Sequence, residues 1–287
     1  MKEKFEKYLD KKFKRLGNNP EVVSLKNEIV SDLLEKSEEV KQVTDNEEEN
    51  YEICINSLGD LYTLIKEMRR ENNKLAKKID LPKYKLGEEL LNAISHGVGA
   101  LLSIAALVLC IIKADSGLGL MAALFYGISS IVLFLMSCLY HSLAPNNAKR
   151  VFRIIDHCSI FLLIAGTYTP FCLCVLPLNI GWWIFGFVWL CAIVGILFNA
   201  IDMNRFKKIS MVLYLVMGWC IIVTIKPLWE TMNHFGILLL LLGGIIYTVG
   251  AIFYGVGKSK RYMHSVFHLF CVAASVCFFF AVYFYAL

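Results

Sequence analysis

Charge is scarce in most of this sequence. Only 18% of its 287 residues are Asp, Glu, Lys or Arg, and residues 81–287 hold just 6 acidic and 13 basic side chains, against 18 and 16 in residues 1–80. A water-soluble surface needs more charge than that. With 57% hydrophobic residues and a mean hydropathy of +0.57, the second region is excluded from the soluble class. Proline is also rare, at six residues, so long helices run with few breaks. The ten cysteines are no disulfide framework, because nine lie in or at the ends of apolar segments and only Cys54 falls in the polar region. Most read as small apolar helix residues. Cys172 and Cys174 are too close on one helix to bridge well. Met1–Arg15 is charged and lacks an apolar core, so no cleavable signal peptide is expected and the first span inserts as an anchor.

What the sequence does contain is long apolar runs. A spanning helix needs roughly 20 apolar residues, and seven such stretches are predicted near 88–112, 117–143, 152–174, 178–201, 209–226, 233–256 and 263–286. The breaks carry turn or charge chemistry, as at Asp115-Ser-Gly, Pro145-Asn-Asn, Asp202-Met-Asn and Gly257-Lys-Ser. Lys149, Arg150, Arg153, Arg205, Lys207, Lys208, Lys258, Lys260 and Arg261 all fall on one side, against Lys113 and Lys226 on the other. By the positive-inside rule the N-terminus is cytoplasmic and Leu287 outside. The basic run Lys74, Lys77, Lys78, Lys83 and Lys85 agrees. The expected architecture is an all-α, seven-transmembrane helix bundle over residues 81–287, in the cell membrane, preceded by a small cytoplasmic helical domain over residues 1–80.

In that leader Phe5, Leu9 and Phe13 recur at helical spacing, Val22, Leu25, Ile29, Leu33 and Leu34 follow Pro20, and Ile55 to Met68 close the unit. The run Glu47-Glu48-Glu49 reads as a solvated helix start. Asn56-Ser-Leu-Gly-Asp60 ahead of an apolar helix resembles the cytoplasmic domains that precede spans in some bacterial permease-like and regulatory proteins. That resemblance implies regulation or assembly, with a cytoplasmic protein as partner. No nucleic-acid partner is expected, and the oligomeric state is left open.

Ionisable groups within spans are costly and therefore rare unless paired, hydrated or ligating. Ser137 and His141, four apart, share a face of the second span. His264 and His268 repeat that spacing in the seventh, where two imidazoles can bind one metal. The predicted topology brings His141, Asp156, His264 and His268 to one cytoplasmic depth. Three imidazoles with a position left over describe a catalytic zinc site, since thiolates are missing. Asp156 is then the candidate general base. Ser137 orients a water or donates to an oxyanion, unless it only bonds a backbone carbonyl. Glu89, Asn92 and His96 sit at the same depth in the first span and suit partners for the ligands' second nitrogens, or a polar helix start. A metal-free polar network in the bundle is the other reading. His157 points about 100° from Asp156 and His234 sits in an outer loop. Thr167-Tyr-Thr-Pro170 reads as a kink with compensating hydroxyls.

The block Glu89-x-x-Asn92-x-x-Ser95-His96, then Ser137-x-x-x-His141, Asp156 and His264-x-x-x-His268, resembles the progestin and adipoQ receptor family in its bacterial hemolysin III branch. The resemblance implies seven helices with the N-terminus inside, zinc on His141, His264 and His268, and Asp156 at a zinc-held water. Its wider superfamily, including alkaline ceramidases, implies hydrolysis of lipid amides, with a membrane lipid as substrate or ligand. The long leader departs from the shortest bacterial members.

Three functions compete at this point. One is a zinc-dependent hydrolase of lipid amide or ester bonds that affects membrane homeostasis. Another is a receptor-like regulator in which zinc is a structural staple. The third, a pore-forming cytolysin, lacks a secretion route.

Overall fold

The computed structural model describes residues 1–14, 16, 20–78, 81–82, 84–256 and 260–287. Lys83 and Gly257-Lys258-Ser259 lie outside these, as do the side chains of Lys74, Lys77 and Lys78. No strand occurs among the described residues. By its contacts the chain forms two units, Met1–Lys83 with Leu143–Arg150, and Tyr84–Ser142 with Val151–Leu287.

The first unit contains α1 (Lys2–Phe13), α2 (Pro20–Val40), α3 (Glu47–Asn56) and α4 (Leu61–Lys78). The four-residue spacing of Phe5, Leu9 and Phe13 puts all three on the buried face of α1, against Leu33 and Val40 of α2 and Cys54 of α3. Burial pushes the Cys54 thiol above its ordinary pKa. Asn46 caps α3 by accepting from the Glu48 and Glu49 amides at 3.0 and 3.4 Å. Two of the three glutamates at that start reach Lys4, at 3.2 and 3.3 Å. All are exposed, so the pairs add little stability. Gly59, at φ +64°, reverses the chain in a conformation that a Cβ would disfavour. Asp60 then starts α4, accepting from the Thr63 amide and hydroxyl, which hold its carboxyl below the usual range.

The second unit is apolar on its outside. Among the described residues six helices are long and apolar enough to cross a membrane: Leu86–Lys113, Gly117–Ser142, Asn147–Val175, Leu178–Thr231, His234–Gly255 and Met263–Tyr285. Leu101, Ile112, Trp183 and Val223 are each more than two-thirds exposed, a surface stable only against lipid. Small residues let neighbours approach, and α5 (Leu86–Lys113) and α6 (Gly117–Ser142) meet where Gly99 faces Phe134 and Gly127 faces Leu107.

The third helix, α7 (Asn147–Pro170), ends in a π turn over Phe171–Val175, because a proline ring cannot complete the preceding ladder. The hydroxyls expected there are in place. Thr167 donates to the Leu163 carbonyl at 2.7 Å and Thr169 to that of Ala165 at 2.9 Å. Gly181 then packs so tightly on the Cys172 carbonyl that a Cβ would collide with backbone oxygen. Gly181→Ala is expected to cost about 1–3 kcal/mol, read as a fall of several degrees in the Tm of the detergent-purified protein. An unchanged Tm would mean that the π turn gives way without strain.

The apolar stretches expected at 178–201 and 209–226 fall in one long element. This is α8 (Leu178–Trp219), continued by a 3-10 turn (Cys220–Thr224) and α9 (Ile225–Thr231). A straight helix of 54 residues would be roughly 80 Å long. It is not straight: Asp202 is extended at φ −157°, ψ 92°, and its carboxylate accepts from the Asn204 and Arg205 amides at 3.1 and 3.0 Å. That is an N-cap, so a second helix starts there. The chain folds back on itself, since Ser210 donates to the Asn199 side chain at 2.7 Å although eleven residues of helix would separate them by about 16 Å. Two further helices, α10 (His234–Val256) and α11 (Met263–Tyr285), complete the unit.

Candidate metal centre

Four helices contribute the polar cluster, and helical spacing decides which side chains face inward. On α5 the buried face runs through Glu88, Asn92, Ser95, His96, Gly99 and Ser103. On α6 it ends with Ser137, Tyr140 and His141, and on α11 it begins with Ser265 and His268. Steps of three and four keep each series on one stripe.

His141, His264 and His268 converge, with one ring nitrogen from each lying within 4.8 Å of the others. The Nε2 atoms of His264 and His268 are 3.1 Å apart. Their rings are 4.9 Å apart for His141 and His268, and 5.4 Å for His141 and His264. On the far side of His141, Nδ1 is 2.6 Å from Glu89 Oε2, and the Asn92 amide is 3.3 Å from the same nitrogen. An ionised carboxylate only accepts, so the proton sits on Nδ1 and the Nε2 lone pair is bare. That Nε2 is buried. A carboxylate on one imidazole nitrogen is how a protein prepares the other for a cation. The donor set fits zinc, which takes neutral imidazoles readily. It also fits other divalent ions of the first transition row.

Around the triad lie residues that the spacing had suggested and others that it had not. Glu89 and Asn92 both lie beside Nδ1 of His141. His96 does something different: its ring stacks on His268 with centroids 3.7 Å apart and stands edge-on to Phe134 at 5.0 Å, with both nitrogens unpartnered. It packs against the histidine pair instead of hydrogen-bonding to it. Tyr84 stacks on His264 at 5.0 Å, Tyr140 lies 4.4 Å from His141, and Tyr254 lies 5.6 Å from His264. None of these tyrosines carries a spacing signal, and Tyr84 sits between two lysines of a basic run. Glu88 was missed as well. Its carboxylate accepts from the Lys85 and Tyr262 amides, both at 2.9 Å, which ties the start of α5 to the residue preceding α11.

A cavity of about 230 Å³ opens beside the cluster. His96, Ser137, Asp156, His264 and His268 line its polar end, while Leu163, Phe171, Leu228, Ile237 and Phe278 line the rest. On α7 the lining runs from Arg153 to Phe171, about 27 Å at 1.5 Å per residue. The cavity is a long apolar slot with chemistry at one end. Asp156 and Ser137, the candidate base and hydroxyl, share that end but are outside the converging triad. His157 is held by its backbone carbonyl, which accepts from Tyr214 at 2.8 Å and from Asn199 at 3.3 Å. His234 stacks on Trp229 instead.

The profile of the haemolysin-III related family matches residues 84–279, which include every residue of this cluster. The chain is 45% identical to Hemolysin-3 of Bacillus cereus over 203 residues, covering 70% of this chain and 92% of that one. It is 42% identical to a Hemolysin-3 homolog of Bacillus subtilis over 205 residues, covering 70% and 96%. A more distant likeness, at 26% identity over 174 residues, joins it to the human monocyte to macrophage differentiation factor, covering 57% of this chain and 69% of that protein.

Proposed function

The chain belongs to the haemolysin-III related family and is an integral multi-pass membrane protein, and from that premise we propose a zinc-dependent hydrolase of lipid amide or ester bonds. It crosses the bilayer seven times, with the N-terminus in the cytoplasm. The N-cap at Asp202 and the Ser210 to Asn199 hydrogen bond support dividing the long α8 element into two antiparallel spans. The bias of Lys and Arg toward one set of loops supports the orientation. The first unit, with its own hydrophobic core, is read as a docking or regulatory domain for a cytoplasmic protein.

The observation that carries the enzymatic reading is the slot. A long apolar cavity whose polar end holds two histidines of the triad, a carboxylate and a serine suits an acyl chain with its carbonyl brought to the cluster. Bound zinc supplies Lewis-acid polarisation of a carbonyl and makes water nucleophilic near neutral pH. The remaining roles belong to the chain. Glu89 holds His141 in the tautomer that presents Nε2. Asp156 accepts the proton from the attacking water and returns it to the leaving nitrogen or oxygen. Ser137 orients the water or donates to the developing oxyanion. The apolar walls exclude bulk water and strengthen these interactions.

The direct test is hydrolysis of acyl amides and acyl esters by the purified protein in detergent, before and after metal removal. Turnover that disappears with the metal and returns with zinc supports the reading. Undiminished turnover by the stripped protein overturns it. Glu89→Gln probes the preparation of the site separately. An amide in that position no longer enforces one His141 tautomer, and loss of such a partner costs about 10–100-fold in metal affinity. Competition with a chromogenic chelator should read that loss, and an unchanged affinity would remove Glu89 from the centre.

A further inference from the structure

Tyr262 is the one non-glycine residue with a positive φ among the described residues, at +63°, in the left-handed region that a residue with a Cβ disfavours. It stands immediately before α11, two residues from His264, and no described side chain caps that helix start. Burial of the ring does not account for the conformation, since Tyr262 is 38% exposed. A strained residue persists only where its surroundings hold it. What holds this one is a carboxylate from another helix: the Tyr262 amide donates to Glu88 Oε1 at 2.9 Å.

Glu88 gives its two oxygens two different tasks. Oε2 accepts from the Lys85 amide at 2.9 Å and closes a capping box at the start of α5. A cap needs no more than that. Oε1 is left for Tyr262, 174 residues away in sequence, and the burial of Glu88 makes both bonds stronger than they would be at a wet surface. Gly87 lies against the same residue, since a Cβ there would be 3.1 Å from the Tyr262 hydroxyl. The first turn of α5 thus seats Tyr262 by its backbone and by its side chain.

The first amides of a helix have no intrahelical partner, so the direction of the first turn of α11 follows from what seats the residue before it. The bond that closes this turn runs from the Val266 amide to the Tyr262 carbonyl at 2.9 Å, and His264 lies inside it. His268 follows one turn further along. Glu89, the next residue of α5, holds His141 by Nδ1 at 2.6 Å. Two consecutive carboxylates of one helical turn therefore reach the ligands of two other helices, one through a ring nitrogen and one through the backbone.

We infer that Glu88 is a positioning residue of the metal centre: by holding the Tyr262 amide it keeps the left-handed turn that aims His264, so the first turn of α5 sets how His264 meets His141. This rests on the reading of the triad as a metal site and is independent of the reaction the metal serves. Glu88 acts on the ligand through the backbone.

The test measures zinc affinity of the detergent-purified full-length protein by competition with a chromogenic chelator, and records the visible absorption of the cobalt-loaded protein as a signature of ligand geometry. Glu88→Gln keeps one accepting oxygen in place of two and should lose about tenfold or more in zinc affinity, with the cobalt bands shifted. Tyr262→Asn, which tolerates the left-handed region, should bring Glu88→Gln back to within about threefold of wild type. Loss of a negative charge beside the site predicts no such rescue. Glu88→Asp keeps the charge and a favourable helix start but is one methylene too short to reach both amides, so it should also lose affinity, and it stands in if the glutamine variant does not fold. Wild-type affinity and unshifted cobalt bands in both variants at position 88, or a loss that Tyr262→Asn leaves unrepaired, overturns the positioning role while the metal site stands. A fall in Tm alone marks Glu88 as a helix cap only. A wild-type protein that binds neither zinc nor cobalt overturns the metal reading and this role with it.

Discussion

Alanine at His264 or His268 is expected to empty the centre of metal and leave the bundle folded. Both side chains project from the first two turns of α11, and alanine is the best helix former, so the helix itself survives the change. What is lost is one of three donors from a site with no thiolate in its triad to compensate. The remaining pair binds a divalent ion far more weakly. Because a metal supplies several kcal/mol of transition-state stabilisation, turnover should fall on the order of 10³-fold. Elemental analysis of the purified variants gives the first readout: near-stoichiometric zinc in wild type and a trace in either variant. Stoichiometric zinc in both would place the metal elsewhere. His96→Ala provides the contrast. His96 stacks on His268 but is outside the converging triad, so its removal should weaken metal binding without abolishing it.

The histidine triad was legible in the sequence because two independent regularities agreed on it. The four-residue spacing of His264 and His268 puts both on one stripe of a helix, and the alternation of spans brings His141 to the same end. Both are properties of regular helices, which local sequence specifies well. The contacts around the triad depend instead on how helices rotate and tilt against each other. His96 shares a stripe with Asn92, and the sequence could not decide between a hydrogen bond to a ligand and a stack on His268. Tyr84 precedes α5, and its ring direction follows from tertiary packing alone. Arg153 reads in the sequence as an ordinary member of a basic loop cluster, since charge counting is blind to which face a cation takes, whereas in the structure it lines the slot.

The apolar stretches were legible for the same reason, but their joining was not. The break at Asp202 was visible as a polar interruption of a hydrophobic run. It is made by a single extended residue capped by its own carboxylate, so the backbone passes from one helix into the next with almost no loop. Hydropathy predicts two stretches there, and the backbone supplies one long element with a reversal inside it. The polar knot of Asn199, Ser210, Tyr214 and the His157 carbonyl holds that reversal closed. His157, Asn199, Ser210 and Tyr214 also line the slot, so the same few side chains shape both the fold and the site.

Asp156→Asn should separate binding from chemistry. The substitution keeps the volume and planarity of the side chain, and Asp156 is outside the group of converging ligand atoms, so zinc should remain stoichiometric and lipid retention close to wild type. An amide cannot take a proton at neutral pH. If Asp156 removes the proton from the attacking water, kcat should drop by about 10²–10⁴-fold, the usual worth of a positioned general base, with KM little changed because ground-state contacts survive. Ser137→Ala then distinguishes the two readings of that hydroxyl. A loss in kcat of similar character marks a group that acts on the reacting atoms. A loss confined to Tm marks a serine that only satisfies the helix. Should Asp156→Asn keep kcat within a factor of about two, the proton must leave by another route. Few routes are available from this wall: Glu89 is engaged with His141 at 2.6 Å, and Glu88 accepts from the Lys85 and Tyr262 amides. Glu88 and Glu89 are thus already engaged, which is why the proposed mechanism assigns proton transfer to Asp156, the carboxylate that lines the slot.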